Sequence, residues 1–327
     1  MTNAPILSEI LSPIADELRR VENLVMANLE TDIPLLAEVG HYILSSGGKR
    51  VRPALLLLSA KTIGEVTEQT YQAANVIEYI HTATLLHDDV VDNADLRRSK
   101  KSARSIWGNE ASVLVGDYLF AVSFKYISVF KNHQVVETLS NATTQMARGE
   151  ILQLTRSNDS ATTSEYLKII CYKTASLMAA AMEIGAILGG GSEKQQKLLY
   201  KCGKNIGIAF QLIDDALDYD LGNPELGKPV GADLKERKIT LPLSHLLEVA
   251  SKDHHKTILD ILDKDEITDD HVSIICEYMN RYGAIRYTTD QAKKYMRLVN
   301  KHLERLPNNQ YRTSIRQLTE FIILRKK

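Results

Sequence analysis

Apolar residues recur at spacings of three and four along nearly every long segment of the chain, and alternating strand-like runs are hard to find. This pattern predicts an almost entirely α-helical protein. The four longest helices are predicted at about 68–92, 111–130, 162–188 and 193–220. Pro34, Pro53 and Pro242 stand where helices can begin, and breaks at 47–48, 189–191 and 221–231 separate helices. Because no shift in composition marks a linker, we expect one helical domain over residues 1–327.

Composition and charge are those of an ordinary globular protein. The 327 residues are 44% hydrophobic and 25% charged with a formal net charge of -1, which excludes a disordered chain and gives no bulk attraction to nucleic acid. Cys171, Cys202 and Cys276 are too far apart for a cysteine metal site or a disulfide framework, so a reducing compartment is the simplest interpretation. The first twenty residues lack the layout of a secretory signal, and we therefore expect a cytoplasmic protein.

Membrane insertion is not expected from the hydrophobic pattern. The most apolar runs, at 54–60 and 177–190, are short or interrupted by Glu183. A membrane span needs about 20 apolar residues. Peripheral contact with a membrane stays compatible with the sequence.

Two aspartate clusters share one spacing, Asp-Asp-x-x-Asp. Their six positions are Asp88, Asp89, Asp92, Asp214, Asp215 and Asp218. On a helix, the first and last carboxylates of each cluster share a face, where their repulsion favours a bound cation. Carboxylates without paired Cys or His suit Mg²⁺, which also binds water and substrate phosphates. The clusters therefore predict a magnesium-dependent site for a phosphorylated substrate, because their apolar flanks argue against two merely solvated acidic faces.

Basic residues near the clusters would hold such a substrate. Lys49, Arg50 and Arg52 follow a Gly-Gly pair just before a predicted helix, where backbone amides can approach an anion. The other basic residues that flank the clusters are Arg97, Arg98, Lys173, Lys228 and Lys238. One such cation alone would be an ordinary surface charge, whereas the set predicts a diphosphate site.

These motifs in this order resemble those of the trans-isoprenyl diphosphate synthase family, and within it those of the long-chain polyprenyl diphosphate synthases. The resemblance runs through 47–53, 81–92, 97–98, 116–117, 173–174, 210–215, 227–234 and 238–242. Ser99 departs from the glycine that commonly follows the arginine pair, and we expect only a local change of backbone there. The resemblance implies an all-α, isoprenoid-synthase-type bundle of antiparallel helices around a deep central cavity, with the two aspartate motifs facing each other across its mouth.

The resemblance also implies roles for individual residues. The ligands of Mg²⁺, three ions once diphosphate is bound, would be Asp88, Asp92, Asp214, Asp215 and Asp218. The allylic diphosphate would bind through these ions and to Arg97, Lys173, Thr174, Gln211, Lys228 and Lys238. Isopentenyl diphosphate would bind to Lys49, Arg52, His81 and Arg98. The catalytic set, which would stabilise the leaving diphosphate as the allylic bond ionises, is Asp88, Asp92, Asp214, Lys173 and Lys238.

The helix that leads to Asp88 predicts the length of the product. In the resembled family, a bulky aromatic residue four or five positions before the first aspartate closes the cavity early, whereas Thr84 and Ala83 are small. Ile80 and Ile77 follow at successive turns down the same wall. One turn rises about 5.4 Å, close to one isoprene unit, so we expect a product of about C35 to C50. Octaprenyl diphosphate for a quinone side chain, built on farnesyl diphosphate, fits this range; the cavity floor can also lie near Phe120 or Met146.

Other functions remain as alternatives. A shorter-chain farnesyl or geranylgeranyl synthase differs only in the cavity. A noncatalytic helical subunit is expected to lose some of the six aspartates, and a terpene cyclase the second motif, yet all are present. A metal phosphohydrolase built on His87 and Asp88 would leave the second cluster unused, and His81 and His87 do not share a helix face. The resemblance further implies a homodimer, for which the apolar helix at 111–130 offers a surface.

Overall fold

The structure, a computed structural model, describes residues 6–27, 29, 31–97, 100–155, 162–219 and 230–324. These ranges are mostly helical and confirm the all-α prediction. The helices are α1 (Leu7–Leu11), α2 (Ala15–Ala27), α3 (Pro34–Ser45), α4 (Val51–Ile63), α5 (Glu68–Val91), α6 (Ala103–Ser128), α7 (His133–Leu154), α8 (Thr163–Ile170), α9 (Ser176–Leu188), α10 (Glu193–Leu217), α11 (Ala232–Lys235), α12 (Leu241–Val249), α13 (Lys252–Leu262), α14 (Asp269–Arg281), α15 (Ala284–Leu303) and α16 (Gln310–Leu324). A 3₁₀ turn covers Ser12–Ile14, a π-helical turn covers Cys171–Ala175, and strands β1 (Leu96–Arg97) and β2 (Lys100–Lys101) pair antiparallel.

The helix starts follow their capping residues. Thr67 and Ser192 lie directly before α5 and α10 and form capping boxes there, which fixes the starts predicted at 68 and 193. Pro34 and Pro242 lie in the first turns of α3 and α12. Helix α6 begins at Ala103 rather than near 111, because Ser102 caps it and a kink at Gly108, with φ 87°, lets the chain turn without ending the helical run.

The interior consists of helices packed in contact with one another, with α9 against both α4 and α10. In α4 the consecutive residues 54–58 are completely buried, so this helix is enclosed on all sides. A second apolar cluster, built mainly from α12, α13 and α14, lies around Leu243, Ile258 and Ile275. It includes Tyr219, one residue after the second aspartate motif, and so anchors the end of that motif. The prediction of one domain over 1–327 stays a prediction.

The helical stretch predicted at 162–188 is present and contains a π turn. Thr163–Leu188, which joins α8, the π turn and α9, is long enough to span a membrane and contains an 18-residue window with a mean hydropathy of 1.2. Of this window, 72% is buried inside the protein, as in the core helix of a globular fold. Glu183, which interrupts the apolar run, lies half-buried and accepts a hydrogen bond from the Thr138 hydroxyl at 3.4 Å. Among the described residues this is the one helical stretch that is long and apolar enough to span a membrane.

Candidate active site

The first aspartate motif ends α5, and two lysines distant in sequence reach it. Asp88 lies in the last turn of α5, and Asp92 follows its end. Lys173 Nζ, from the π turn, lies 3.8 Å from Asp88 Oδ2, and Lys238 Nζ, just before α12, lies 2.7 Å from Asp92 Oδ2. The structure therefore brings together both predicted lysines and both predicted metal-binding carboxylates of this motif.

Asp88 lies in an environment that disfavours its negative charge. Burial raises the pKa of Asp88 to about 6, although the Lys173 ammonium acts in the opposite direction. The carboxylates of Glu150 and Asp92 raise the same pKa further. A desolvated carboxylate among like charges is stabilised as the anion by additional positive charge, which a bound cation supplies.

The middle aspartate of the first motif has a different partner. Asp89 is fully buried, and its Oδ1 accepts hydrogen bonds from Arg97 through Nε and a terminal guanidinium nitrogen, both at 2.7 Å. Two charge-assisted bonds to one carboxylate fix the guanidinium in place. Asp89 thereby positions Arg97, which the resemblance assigns to the allylic diphosphate.

The second aspartate motif ends α10 and is more deeply enclosed. Asp215 is buried and accepts hydrogen bonds from the Tyr166 hydroxyl and, at 2.7 Å, from Gln211 Nε2. Burial raises the pKa of Asp215 to about 7, and these two hydrogen bonds oppose the shift. Asp218 Oδ2 accepts a bond from the backbone N–H of Asp233 at 3.0 Å. Asp214, the first residue of the motif, is half-buried.

Two connections join the surroundings of the motifs. Thr174, next to Lys173, donates its hydroxyl hydrogen bond to Gln211 Oε1 at 3.0 Å, and Gln211 in turn holds Asp215. On the other side, burial raises the pKa of Asp233 well above its usual range, and the nearby Lys238 ammonium opposes that shift. Lys238 thus lies between Asp92 of the first motif and the Asp233 segment bound to the second.

Close helix packing holds the π turn that carries Lys173 and Thr174. A Cβ atom on Gly149 of α7 would lie 2.6 Å from the Lys173 backbone nitrogen, and one on Gly207 of α10 would lie 2.5 Å from Ala175 Cα. Only glycine allows α7 and α10 to approach this turn so closely. Glu150, beside Gly149, then places its carboxylate 2.5 Å from Lys173 Nζ. Single π turns in longer helices are frequent at functional sites.

The residues predicted for isopentenyl diphosphate lie around the start of α4. The Arg52 guanidinium donates a hydrogen bond to His81 Nε2 at 2.9 Å. Lys49 Nζ lies over the Phe321 ring of α16, 5.6 Å from its centroid. Arg98 and Lys228, together with Ser99, lie outside the described residues.

The predicted chain-length residues lie on α5 below Asp88. Ile77, Ile80 and Ala83 are completely buried. Thr84 is half-buried one turn before Asp88, and its hydroxyl donates to the His81 carbonyl at 2.7 Å. Of the alternative floor residues, Phe120 of α6 stacks on His87 with ring centroids 6.1 Å apart, and Met146 of α7 is buried.

The donor set fits a hard divalent cation. Within the described part of the chain, no three His, Cys, Asp or Glu side chains form a closed metal cage. The carboxylates of the two motifs are the oxygen donors that Mg²⁺ prefers, and Mg²⁺ binds through one or two of them together with water and phosphate oxygens. His87, proposed above in a phosphohydrolase, lies 3.4 Å from Asp117 of α6 rather than within such a group.

Sequence reasoning missed several supporting residues. Glu150, Tyr166 and Asp233 each hold a predicted site residue, and Glu236 lies 2.8 Å from Lys238 Nζ. These residues belong to no repeated spacing that marks them in the sequence. Only the packing of α7, α8 and α11 beside the motifs brings them in.

Comparison with known proteins gives the family of this chain. The family described as polyprenyl synthetase matches residues 33–279. An octaprenyl diphosphate synthase from Haemophilus influenzae is 36% identical over 313 residues, covering 94% of this chain and 94% of that protein. The structure of a decaprenyl diphosphate synthase from Rhodobacter capsulatus has a TM-score of 0.92 at 35% identity, covering 98% of this chain and 100% of that one. A polyprenyl synthase structure from Caulobacter crescentus, in complex with calcium and isoprenyl diphosphate, has a TM-score of 0.92 at 34% identity and covers 100% of both chains.

An all-α bundle with two aspartate motifs, the first of them in contact with two lysines, is typical of the class of the isoprenyl diphosphate synthases. The chain belongs to the polyprenyl synthetase family and is a prenyltransferase. The resemblance inferred from the motifs is thereby confirmed.

Proposed function

We propose that this prenyltransferase adds isopentenyl diphosphate repeatedly to farnesyl diphosphate and makes all-trans octaprenyl diphosphate for a quinone side chain. The observation that carries the proposal is the end of α5, where the resemblance places the wall of the product cavity: small Thr84 lies one turn before Asp88, and Ile80 and Ile77 follow at the preceding turns. A wall of about six helical turns matches five or six added units. Octaprenyl and decaprenyl synthases among the similar proteins support a long product.

The chemistry needs positioned charge rather than a protein nucleophile. Bound together with the diphosphate, Mg²⁺ would supply positive charge that stabilises the leaving group. Asp88, Asp92 and Asp214 would hold the ions, with Asp215 and Asp218 in support. The ammonium groups of Lys173 and Lys238, which lie beside Asp88 and Asp92, would stabilise the same charge as the allylic C–O bond breaks.

Carbon–carbon bond formation follows from holding two substrates side by side. Lys49, Arg52 and His81 would bind isopentenyl diphosphate, whose double bond attacks the allylic cation. A proton then leaves the new cation to the released diphosphate. Two separate cationic sites, one at the aspartate motifs and one at the start of α4, keep both anions at reactive distance.

The assembly and cellular site are part of the same proposal. Exposed apolar residues on one face of α6, which we call the α6 face, support a homodimer: Val113, Leu114, Tyr118 and Phe124. Three cysteines without disulfides support a cytoplasmic location. Release of so apolar a product would involve peripheral contact with a membrane.

The test is to incubate the protein with farnesyl diphosphate, labelled isopentenyl diphosphate and Mg²⁺, and to size the dephosphorylated products. A ladder ending near eight isoprene units supports the proposal, and activity lost to a chelator and restored by Mg²⁺ supports the ion assignment. Products ending at three or four units would favour the shorter-chain synthase. Absence of incorporation while farnesyl diphosphate still binds would favour a noncatalytic subunit.

A further inference from the structure

We propose that the ion pair between Arg50 and Glu78 positions the loop at the start of α4 and thereby sets the affinity for isopentenyl diphosphate. This inference rests on the proposed function. Arg50 lies between the predicted ligands Lys49 and Arg52, but its own guanidinium is bound by protein groups. We therefore treat Arg50 and Glu78 as positioning residues.

The backbone at Arg50 adopts a conformation that its side chain disfavours. Arg50 has φ 45° and ψ 33°, in the left-handed region, and directly precedes α4. Gly47, three residues earlier, also has a positive φ, 80°. Glycine, asparagine and aspartate tolerate this region far better than arginine. A non-glycine residue stays there only when surrounding contacts hold it.

Three helices supply those contacts. The Arg50 guanidinium donates to the buried Glu78 carboxylate of α5 and, at 2.7 Å, to the Leu44 carbonyl near the end of α3. Its Nε also lies 3.7 Å from Glu22 of α2. Because the Glu78 carboxylate is buried, removing either partner leaves an uncompensated group in the interior.

Helix α5 holds both ends of this turn. Glu78 and His81 are three residues apart and therefore share a face of the helix. Glu78 binds Arg50, and His81 accepts the hydrogen bond from Arg52. The left-handed turn at Arg50 sets the direction in which the chain carries Lys49 away from α4. Without the pair, the turn can relax and displace Lys49 from Arg52 and His81.

The pair lies apart from the groups assigned to the allylic diphosphate. Lys173 is held by Glu150, and Lys238 by Asp92 and Glu236. None of these residues belongs to α2, α3 or α4, and on α5 Glu78 lies ten residues before Asp88, about 15 Å along the helix. Disturbing the Arg50 turn is therefore expected to change the binding of one substrate and not of the other.

The experiment measures KM for each substrate and kcat in Glu78→Ala, Arg50→Ala and Arg50→Asn. Both alanine variants are expected to raise KM for isopentenyl diphosphate about tenfold or more, with kcat and KM for farnesyl diphosphate nearly unchanged. Arg50→Asn loses the same ion pair, but asparagine adopts the left-handed conformation more readily than alanine. Its KM for isopentenyl diphosphate is therefore expected to lie well below that of Arg50→Ala. A purely structural or charge role predicts equal values for the two Arg50 variants.

Circular dichroism and thermal melting identify which variants fold. If Glu78→Ala does not fold, the comparison of Arg50→Ala with Arg50→Asn decides the question. Equal KM values in the Arg50 variants, or an equal rise in both substrates' KM values, would overturn the positioning role. Lys49→Ala separates the two levels of the proposal. If it raises KM for isopentenyl diphosphate and folded Glu78→Ala does not, this inference fails and the proposed function stands; if wild-type protein incorporates no isopentenyl diphosphate, both fail.

Discussion

The first aspartate motif divides its residues between two tasks. Asp88 and Asp92 contact lysines, whereas Asp89 turns away and binds Arg97. The helical period accounts for this division, since neighbouring residues point about 100° apart. The assigned ligands are therefore expected to matter for catalysis rather than for folding.

Asp88→Ala or Asp214→Ala is expected to lower kcat by several orders of magnitude while the helix content stays that of the wild type. The reason is that each change removes an ion ligand at the mouth of the site and no apolar core. Turnover at saturating Mg²⁺ and far-ultraviolet circular dichroism measure the two effects. The matched control is Asp260→Ala, an exposed aspartate on α13, which is expected to leave both unchanged. Near-wild-type turnover in either motif variant would contradict the two-motif metal assignment.

At the level of single residues, the sequence predicted the groups that belong to motifs. Spacing alone identified the six aspartates, and the search for flanking cations identified Lys173, which contacts Asp88. The resemblance added Thr174 and Gln211, which the structure joins to Asp215. The sequence did not reveal Glu150 or Tyr166, because a single carboxylate or hydroxyl residue belongs to no recognisable spacing. The partner of Arg50 was missed for the same reason.

The π turn between α8 and α9 shows how a whole element depends on its neighbours. Lys173 reaches Asp88 because α7 and α10 press against this turn at two glycines. We expect Gly149→Ala to lower stability by about 1–3 kcal/mol, since its Cβ would meet backbone that cannot give way. We also expect kcat to fall, because the Cβ would displace the backbone nitrogen of Lys173, whose side chain contacts Asp88.

Gly40→Ala in α3 is the matched control. Its Cβ would meet only the Leu29 side chain, at 3.2 Å, and alanine gains up to about 1 kcal/mol of helix propensity. Thermal melting and kcat compare the two variants. Unchanged stability and turnover in Gly149→Ala would show that the π turn does not depend on this contact.

The long helices were predictable because period and caps act within one element. The predictions at 68–92 and 193–220 nearly match α5 and α10. The start of α6 was missed because Gly108 breaks the backbone conformation while the helical run continues, a combination that the apolar period does not reveal. The π turn was missed as well, since one extra residue per turn is set by packing and not by local composition.

At the scale of the whole molecule, the depth of the site is expected to limit the product. Ala83→Phe and Thr84→Phe are each expected to shorten the product ladder, because a bulky ring one turn before Asp88 would fill the space that the growing chain needs along α5. Thr84 is half-buried and Ala83 fully buried, so melting curves must accompany the Ala83 variant. Ala83→Ser, which stays small, is the control and is expected to keep the wild-type ladder. An unchanged ladder in a folded Thr84→Phe variant would place the limiting contact on another helix.

The α6 face predicts how the molecule assembles. Leu114 is 65% exposed, and Val113, Tyr118 and Phe124 are exposed on the same broad side of the helix, with Asp117 among them. An unpaired chain would leave this apolar stripe in water. In a two-fold dimer this stripe packs against the same stripe of the second chain. A charged residue in place of Leu114 would therefore be buried in both chains without an opposite charge. Leu114→Lys is therefore expected to halve the mass measured by sedimentation equilibrium. Leu298→Lys, at a leucine of α15 that is 43% exposed, is expected to leave the mass unchanged, because it lies outside the stripe. A Leu114→Lys variant that keeps the wild-type mass would show that the chains associate through another surface or not at all.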